Sequence, residues 1–250
     1  MLPYTIISLL CLALLLGMYN ARKTRQVHVL LDQVHDQAHQ QPVTLFRQLE
    51  ALQGLYVELA LRRSLPDTRG WAASPDFLLE LVRHARSAVP LTVVECSSGT
   101  STLVLARCMQ LNGAGKVYSL EHDLQYAEQT RQQLHLHGLH GWAEVLYAPL
   151  QPHSLAGEHW PWYGLADVPA GGIDMLVIDG PPQGTRAQAR FPAGPLLFPR
   201  LSDNAVVFLD DASRPDEQAI LQRWQQDYPE LLRSSRQCEK GCAVLQRRAR

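Results

Sequence analysis

The run from Thr92 to Thr102, Thr-Val-Val-Glu-Cys-Ser-Ser-Gly-Thr-Ser-Thr, constrains the fold more than any other stretch of the chain. Leu91-Thr-Val-Val is apolar, rich in β-branched residues and too brief for a helix, so it reads as a buried strand. Ser97, Ser98 and Gly99 break it, and Thr-Leu-Val-Leu-Ala then resumes as a helix. A strand, a tight turn of small residues and a helix start together build a cradle. The turn lets backbone approach a ligand closely, and the helix N-terminus presents unpaired N–H groups.

The same alternation continues along the chain. Ser74-Pro75-Asp76 opens a helix, with Ser as N-cap, Pro at the first helical position and Asp in the first turn. After the central strand, a helix over Thr100–Leu111 ends at Asn112-Gly113. A strand over Lys116–Glu121, a helix over Leu124–His137 and a strand over Trp142–Tyr147 follow. A long irregular stretch leads to an apolar strand, Ile173–Ile178. A helix over Gln188–Leu201, weakened by Pro192 and Pro195, precedes a strand over Ala205–Leu209. A helix over Pro215–Tyr228 comes next, and Leu231–Arg236 with Cys242–Gln246 reads as a closing hairpin. Strands alternating with helices imply a parallel sheet covered on both faces. Ligands of such sheets sit beyond the carboxyl ends of the strands, so the residues that end strands carry the functional question.

Two cofactor chemistries use a cradle of this kind. The dinucleotide fingerprint G-x-G-x-x-G, laid on Ser97–Thr102, keeps only its middle glycine. An acid at the strand end followed by small-x-Gly fits Glu95-x-Ser97-x-Gly99. Here the chain resembles motif I, E-x-G-x-G, of class I S-adenosylmethionine (SAM) methyltransferases, from which Ser97 departs by standing for the first glycine. Asp174-Met-Leu-Val-Ile-Asp179-Gly-Pro-Pro182 resembles the V-D-G-P-P loop of methyltransferase family 24. Trp71–Phe77, Ala148-Pro149-Leu150, Trp162-Tyr163 and Leu209–Arg214 are similar to further pieces of that family. The resemblance spans roughly Gly70–Gln246. It implies an α/β, Rossmann-like seven-stranded methyltransferase sheet, mostly parallel, with an antiparallel C-terminal hairpin. It also implies a SAM site at Glu95, Ser97, Gly99, Ser101, Glu121, His122 and Asp179. Glu121 ends the second strand, where a carboxylate can accept two hydrogen bonds from a ribose diol. Asp123 is either a helper there or the N-cap of the next helix.

By the same resemblance Asp179 is the candidate catalytic residue, expected to face the reaction centre as a proton acceptor. Asp210 and Asp211 end the fifth strand, so three carboxylates are expected on one rim. Like charges that close need a cation or a shared proton, and Mg²⁺ on Asp179, Asp210 and Asp211 is one way to supply it. The other is that Asp211 or Ser213 caps the next helix while Asp210 pairs with Arg214. His135, His137 and His140 point in separate directions at helical spacing and read as a solvated helix end, not a metal site. Trp160-Pro-Trp162-Tyr163 either stacks on a ligand ring or plugs the core.

Ahead of this domain, Leu2–Met18 is uncharged and nearly all apolar, and Ala21-Arg22-Lys23-Thr24-Arg25 follows it. That pattern predicts an uncleaved transmembrane anchor, with the basic flank and the catalytic domain on the cytoplasmic side. Val27, Leu30, Leu31 and Val34, then Leu45, Leu49, Leu52, Tyr56 and Leu59, recur at helical spacing as a stalk broken near Pro42. The expected organisation is an anchor over residues 1–20, a stalk over 21–66 and a methyltransferase domain over 67–250. The stalk either lies on that domain or pairs with a second copy as a homodimer. A formal net charge of -1, without a dense basic stripe before Arg247, excludes nucleic acid as the expected partner. Five scattered cysteines exclude a disulfide scaffold.

The expected activity is O-methylation of a hydroxyl on a glycan, a lipid-linked intermediate or a small metabolite at the membrane face. A tethered, non-catalytic protein that keeps the fold is one alternative. Another Rossmann-like transferase or an NAD-dependent reductase is the other.

Overall fold

The computed structural model describes residues 2–68 and 70–247. The chain divides into two units, Met1–Arg47 and Gln48–Arg250. Helix α1 (Leu2–Leu59) makes up the described part of the first unit and contributes its last turns to the second.

The second unit is built around strand β1 (Thr92–Cys96), whose residues alternate between two cores. Val93 packs with Phe77, Leu81, Leu103 and Val117 on one face. Val94 and Cys96 pack with Leu120, Trp162 and Leu176 on the other. Burial on both faces is what a central parallel strand requires. Helix α2 (Pro75–Ala88) precedes β1; helix α3 (Thr100–Asn112), strand β2 (Lys116–Glu121), helix α4 (Leu124–Leu136) and strand β3 (Ala143–Tyr147) follow it. Next come strands β4 (Leu150–Leu155), β5 (Glu158–Tyr163) and β6 (Ile173–Ile178), then helix α5 (Ala193–Leu197). Strand β7 (Leu201–Leu209), helix α6 (Pro215–Asp227) and strands β8 (Leu231–Arg236) and β9 (Cys242–Arg247) complete the domain.

Seven of these strands form one sheet in the order β3-β2-β1-β6-β7-β9-β8. Its first five are parallel, and β9 runs antiparallel to both neighbours. The chain steps outward from β1 to β3, then returns to β6 on the other side of β1, so the order reverses between β1 and β6. Asp179 N donates across that crevice to Cys96 O at 3.1 Å. This is where an open α/β sheet holds its ligand.

Several elements differ from the sequence expectation. Residues 148–172 are not irregular throughout, because β4 and β5 pair as a separate antiparallel hairpin. Ala156 and Gly157, with φ of 50° and 80°, make its two-residue turn. Pro152 directly faces Pro161 across it. Two prolines without N–H groups hide the strand signal, and a two-stranded ladder, in which both strands are edges, accommodates them. The hairpin delivers Trp160, Trp162 and Tyr163 into the core, so the aromatic run is a plug. The helix expected over Gln188–Leu201 shrinks to α5 and a 3₁₀ turn at Phe198–Arg200. Ser74 holds the N-cap position of α2, but its hydroxyl donates to Asp76 Oδ1 at 2.7 Å. Asp76 Oδ1 also accepts from Phe77 N at 2.9 Å, and Oδ2 accepts from Glu239 N at 2.8 Å. The acid therefore does the capping and ties α2 to the β8–β9 turn.

The N-terminal expectations change most. α1 runs through Pro42 without the expected break; the proline removes one helical hydrogen bond rather than ending the helix. The predicted membrane anchor over Leu2–Met18, and the single-pass location with a cytoplasmic domain that rested on it, are overturned. Among the described residues no helix is long and apolar enough to cross a membrane. The side chains of residues 2–5, Ile7, Ser8 and Cys11 lie outside the described set. Charged Arg22, Lys23 and Arg25 follow on the same helix.

Candidate functional site

At the carboxyl end of β1 the chain turns sharply. Ser97 N donates to Leu120 O at 3.0 Å, and Ser97 and Gly99 have φ of 121° and 145°. Both angles lie where side-chain-bearing residues are rare, which is what the glycines of an E-x-G-x-G turn provide for. Beneath the turn, Gly99 N donates to Thr102 Oγ1 at 3.0 Å, and Thr102 Oγ1 donates to Glu95 Oε2 at 2.6 Å. Ser119 Oγ donates to the same oxygen at 2.7 Å. Glu95 is fully buried. Burial pushes its carboxyl up to about 7, while the hydroxyls of Ser101, Thr102 and Ser119 pull the other way. The structure thus brings Glu95, Ser97, Gly99 and Ser101 together, with Glu95 bracing the turn from below.

Glu121, at the end of β2, joins this turn through one hydroxyl. Ser98 Oγ lies 3.0 Å from Glu121 Oε2 and 3.1 Å from Thr130 Oγ1. The other carboxylate oxygen accepts from Asp123 N and meets His122 Nδ1, each at 3.0 Å. The neighbouring Glu121 carboxylate holds His122 above the usual imidazole value. Asp123 is the N-cap of α4, its Oδ1 accepting from Gln125 N and Tyr126 N at 2.8 and 3.1 Å.

The third part of the rim lies at the ends of β6 and β7. One oxygen each of Asp179, Asp210 and Asp211 lie within 4.8 Å of one another. Sequence reasoning placed these three together but missed what joins them. Arg190 Nη2 donates to Asp179 Oδ1 at 3.1 Å and to Asp211 Oδ2 at 2.8 Å, and Nη1 donates to Asp210 O at 2.9 Å. Arg214 also meets Asp211 Oδ2, at 2.8 Å, so Asp211 rather than Asp210 is its partner. Burial pushes Asp179 up to about 6 against the pull of Arg190. Burial, then the neighbouring Asp179 and Asp211, push Asp210 well above the carboxylate range. Its two oxygens carry no hydrogen bond among the described residues, and neither does Asp211 Oδ1. The donor set is right in kind for Mg²⁺, yet a fixed guanidinium already bridges two of its three members. The residues present therefore do not fit a metal centre.

Tyr163 backs this rim from the hairpin side. Its hydroxyl is buried and pressed against Gly180, where any Cβ would collide with it. His135, His137 and His140 do not join the site. His135 and His140 stack on each other with ring centres 4.6 Å apart, because the chain turns after Gly138. Among the described residues the aspartate trio is the only cluster of three or more His, Cys, Asp or Glu side chains whose ligand atoms lie this close.

The comparisons with known proteins agree with this geometry. Residues 94–212 match a family described as a methyltransferase domain, a span that holds Glu95, Glu121, Asp179, Asp210 and Asp211. No curated protein matches the chain. Among solved structures it is similar to the cofactor-bound Rv0187 from MTB, at 20% identity over 83% of this chain and 90% of that one, with a TM-score of 0.53. It is similar to the O-methyltransferase TomG from Streptomyces achromogenes in complex with SAM, at 16% identity over 81% and 89%, with a TM-score of 0.54. It is also similar to an O-methyltransferase from Bacillus cereus in complex with SAH, at 17% identity over 79% and 91%, with a TM-score of 0.53. At these identities the shared property is the fold.

Proposed function

We propose that this chain, a SAM-dependent methyltransferase, methylates a hydroxyl group on a small molecule or a glycan. The observation that carries the reading is the 3.0 Å bond between Ser98 and Glu121. It draws the small-residue turn and an acid suited to a ribose onto one rim, at the point where the strand order reverses. SAM, when bound, supplies an electrophilic methyl group on its sulfonium. The acceptor is argued from chemistry, since the two similar O-methyltransferases act on oxygen and this rim is lined with acids.

Each group then has a physical task. The Glu121 carboxylate keeps lone pairs free for a ribose diol beyond the Ser98 and Asp123 bonds. The first N–H groups of α3 and the backbone of Ser97–Gly99 take the carboxylate end of the cofactor. Asp179, on the neighbouring strand end, takes the proton of the acceptor hydroxyl. A carboxyl near 6 is a better base at neutral pH than an ordinary aspartate. Arg190 fixes the direction of that carboxylate. Holding acceptor and methyl donor in line supplies much of the rate.

Calorimetric titration with S-adenosylhomocysteine tests the assignment. Wild type should bind, and Glu121→Gln, which keeps the shape but not the charge, should bind at least ~10-fold more weakly, as lost charge-assisted hydrogen bonds imply. Equal affinity in the two proteins would remove Glu121 from the site. No binding to wild type would leave a protein that keeps the fold without the activity.

A further inference from the structure

Three acids converge from the ends of two adjacent strands, and gathering them requires a proton or positive charge close by. We infer that Arg190 is the resident cation of this rim, holding Asp179 and Asp211 where a divalent metal would otherwise be needed. Its Nη2 bonds Asp179 Oδ1, the Asp179 carbonyl (3.0 Å) and Asp211 Oδ2, and its Nη1 bonds the Asp210 carbonyl. Its Nε faces Glu217 Oε1 at 3.7 Å. The residue is only 4% exposed. It cannot swing away without stranding Asp179 and Glu217 as unpaired buried acids and leaving Asp211 to Arg214 alone.

The chemistry of the two cations differs in a way that decides between them. A guanidinium is a rigid planar fork, permanently charged and weakly hydrated, suited to bridging several oxygens inside a protein. Mg²⁺ requires near-octahedral oxygen ligands and keeps several waters. A divalent ion here would have to share both bridged carboxylates with a guanidinium that the surrounding bonds fix in place. Arg190 lies on the segment between β6 and β7 and reaches both strand ends, so one side chain locks the two halves of the rim together. Methyl transfer at this rim then proceeds without a divalent cation. That last step rests on the function proposed above, whereas the occupancy of the acid cluster does not.

The test uses the full chain stripped of metal with a chelator. Mn²⁺ is titrated and the free ion is followed by its paramagnetic resonance signal, with thermal melts in the presence and absence of Mg²⁺ alongside. Wild type and Arg190→Lys should take up no Mn²⁺ at millimolar concentration, and their melts should not move with Mg²⁺. Arg190→Gln, with the charge gone and the acids left together, should gain Mn²⁺ uptake and a melt raised by Mg²⁺. Uptake by wild type that is lost in Asp179→Asn overturns the inference, and so does a folded Arg190→Gln that takes up none. Should Arg190→Gln fail to fold, wild type and Arg190→Lys still decide, because metal uptake by either one refutes it. Calorimetry with S-adenosylhomocysteine after chelation separates the two ideas. Absent binding with no Mn²⁺ uptake would sink the proposed function and leave the arginine assignment standing.

Discussion

Ser97 is the residue at which the chain departs furthest from what its backbone asks. A serine at φ of 121° occupies a setting that glycine takes without strain. Relief of that strain is worth about 1–3 kcal/mol, while a glycine adds about 0.4–1 kcal/mol of unfolded-state entropy. Relief wins, so Ser97→Gly should stabilise the fold by about 1 kcal/mol in urea unfolding; a less stable variant would mean the turn is unstrained. Glu95 gives a pH signature of unusual sign. In the folded chain it keeps its proton up to about 7, against an ordinary value of 4.5. Between those values the folded state binds more protons, so stability falls as pH rises and then levels off above 7. At about 1.4 kcal/mol per unit, the full difference is on the order of 3 kcal/mol. Glu95→Gln should therefore gain on wild type between about pH 5 and about pH 8 in urea unfolding. A pH-independent difference between the two would show that Glu95 ionises freely. Glu95, Glu121 and Asp179 were legible in the sequence because each ends an apolar strand, where an acid is conspicuous. Arg190 was not, since its partners arrive from both β6 and β7. Its one local signal is a charge set among Ala189, Phe191 and Ala193.

Among the elements, the β8–β9 turn matters most to the rim. Ala212 N and Ser213 N donate to Gly241 O and Lys240 O, each at 3.1 Å, so the turn lies flat against the residues after Asp211. Gly241 has φ of 80°, and a Cβ there would collide with Ser213 Oγ and its backbone nitrogen. Gly113 has a similar φ of 69° with open space around it, and so isolates the conformational cost alone. Gly241→Ala should thus lose more stability than Gly113→Ala, by about 1–3 kcal/mol, the usual cost of forcing a group into filled space. Equal losses in thermal melts would mean that the turn does not press on Ser213. The regular βα elements other than β7 were legible to within a residue or two, because periodicity and glycine stops mark them; β7 starts at Leu201 rather than at Ala205. The β4–β5 hairpin was hidden by its facing prolines, and α5 by Pro192 and Pro195, which break periodicity without abolishing structure. The apolar N-terminal run is a lesson in the opposite direction. It matches a span in composition, yet among the described residues no helix meets the requirement of length and hydropathy together.

For the molecule as a whole, the parallel sheet sets the function by bringing distant acids to one edge. β1 stands between β2 and β6, so the turn after Cys96 lies between Glu121 on one side and Asp179 on the other. Helices α2, α3 and α4 with the end of α1 cover one face; the β4–β5 hairpin, α5 and α6 cover the other. That leaves the carboxyl rim for a ligand. A structure determined with S-adenosylhomocysteine bound examines this arrangement without intermediaries. The ribose hydroxyls should lie within hydrogen-bonding distance of the Glu121 carboxylate, and the amino-acid end should lie over Ser97–Gly99. A nucleoside found elsewhere on the sheet, with Glu121 still turned only to Ser98, His122 and Asp123, would refute the account.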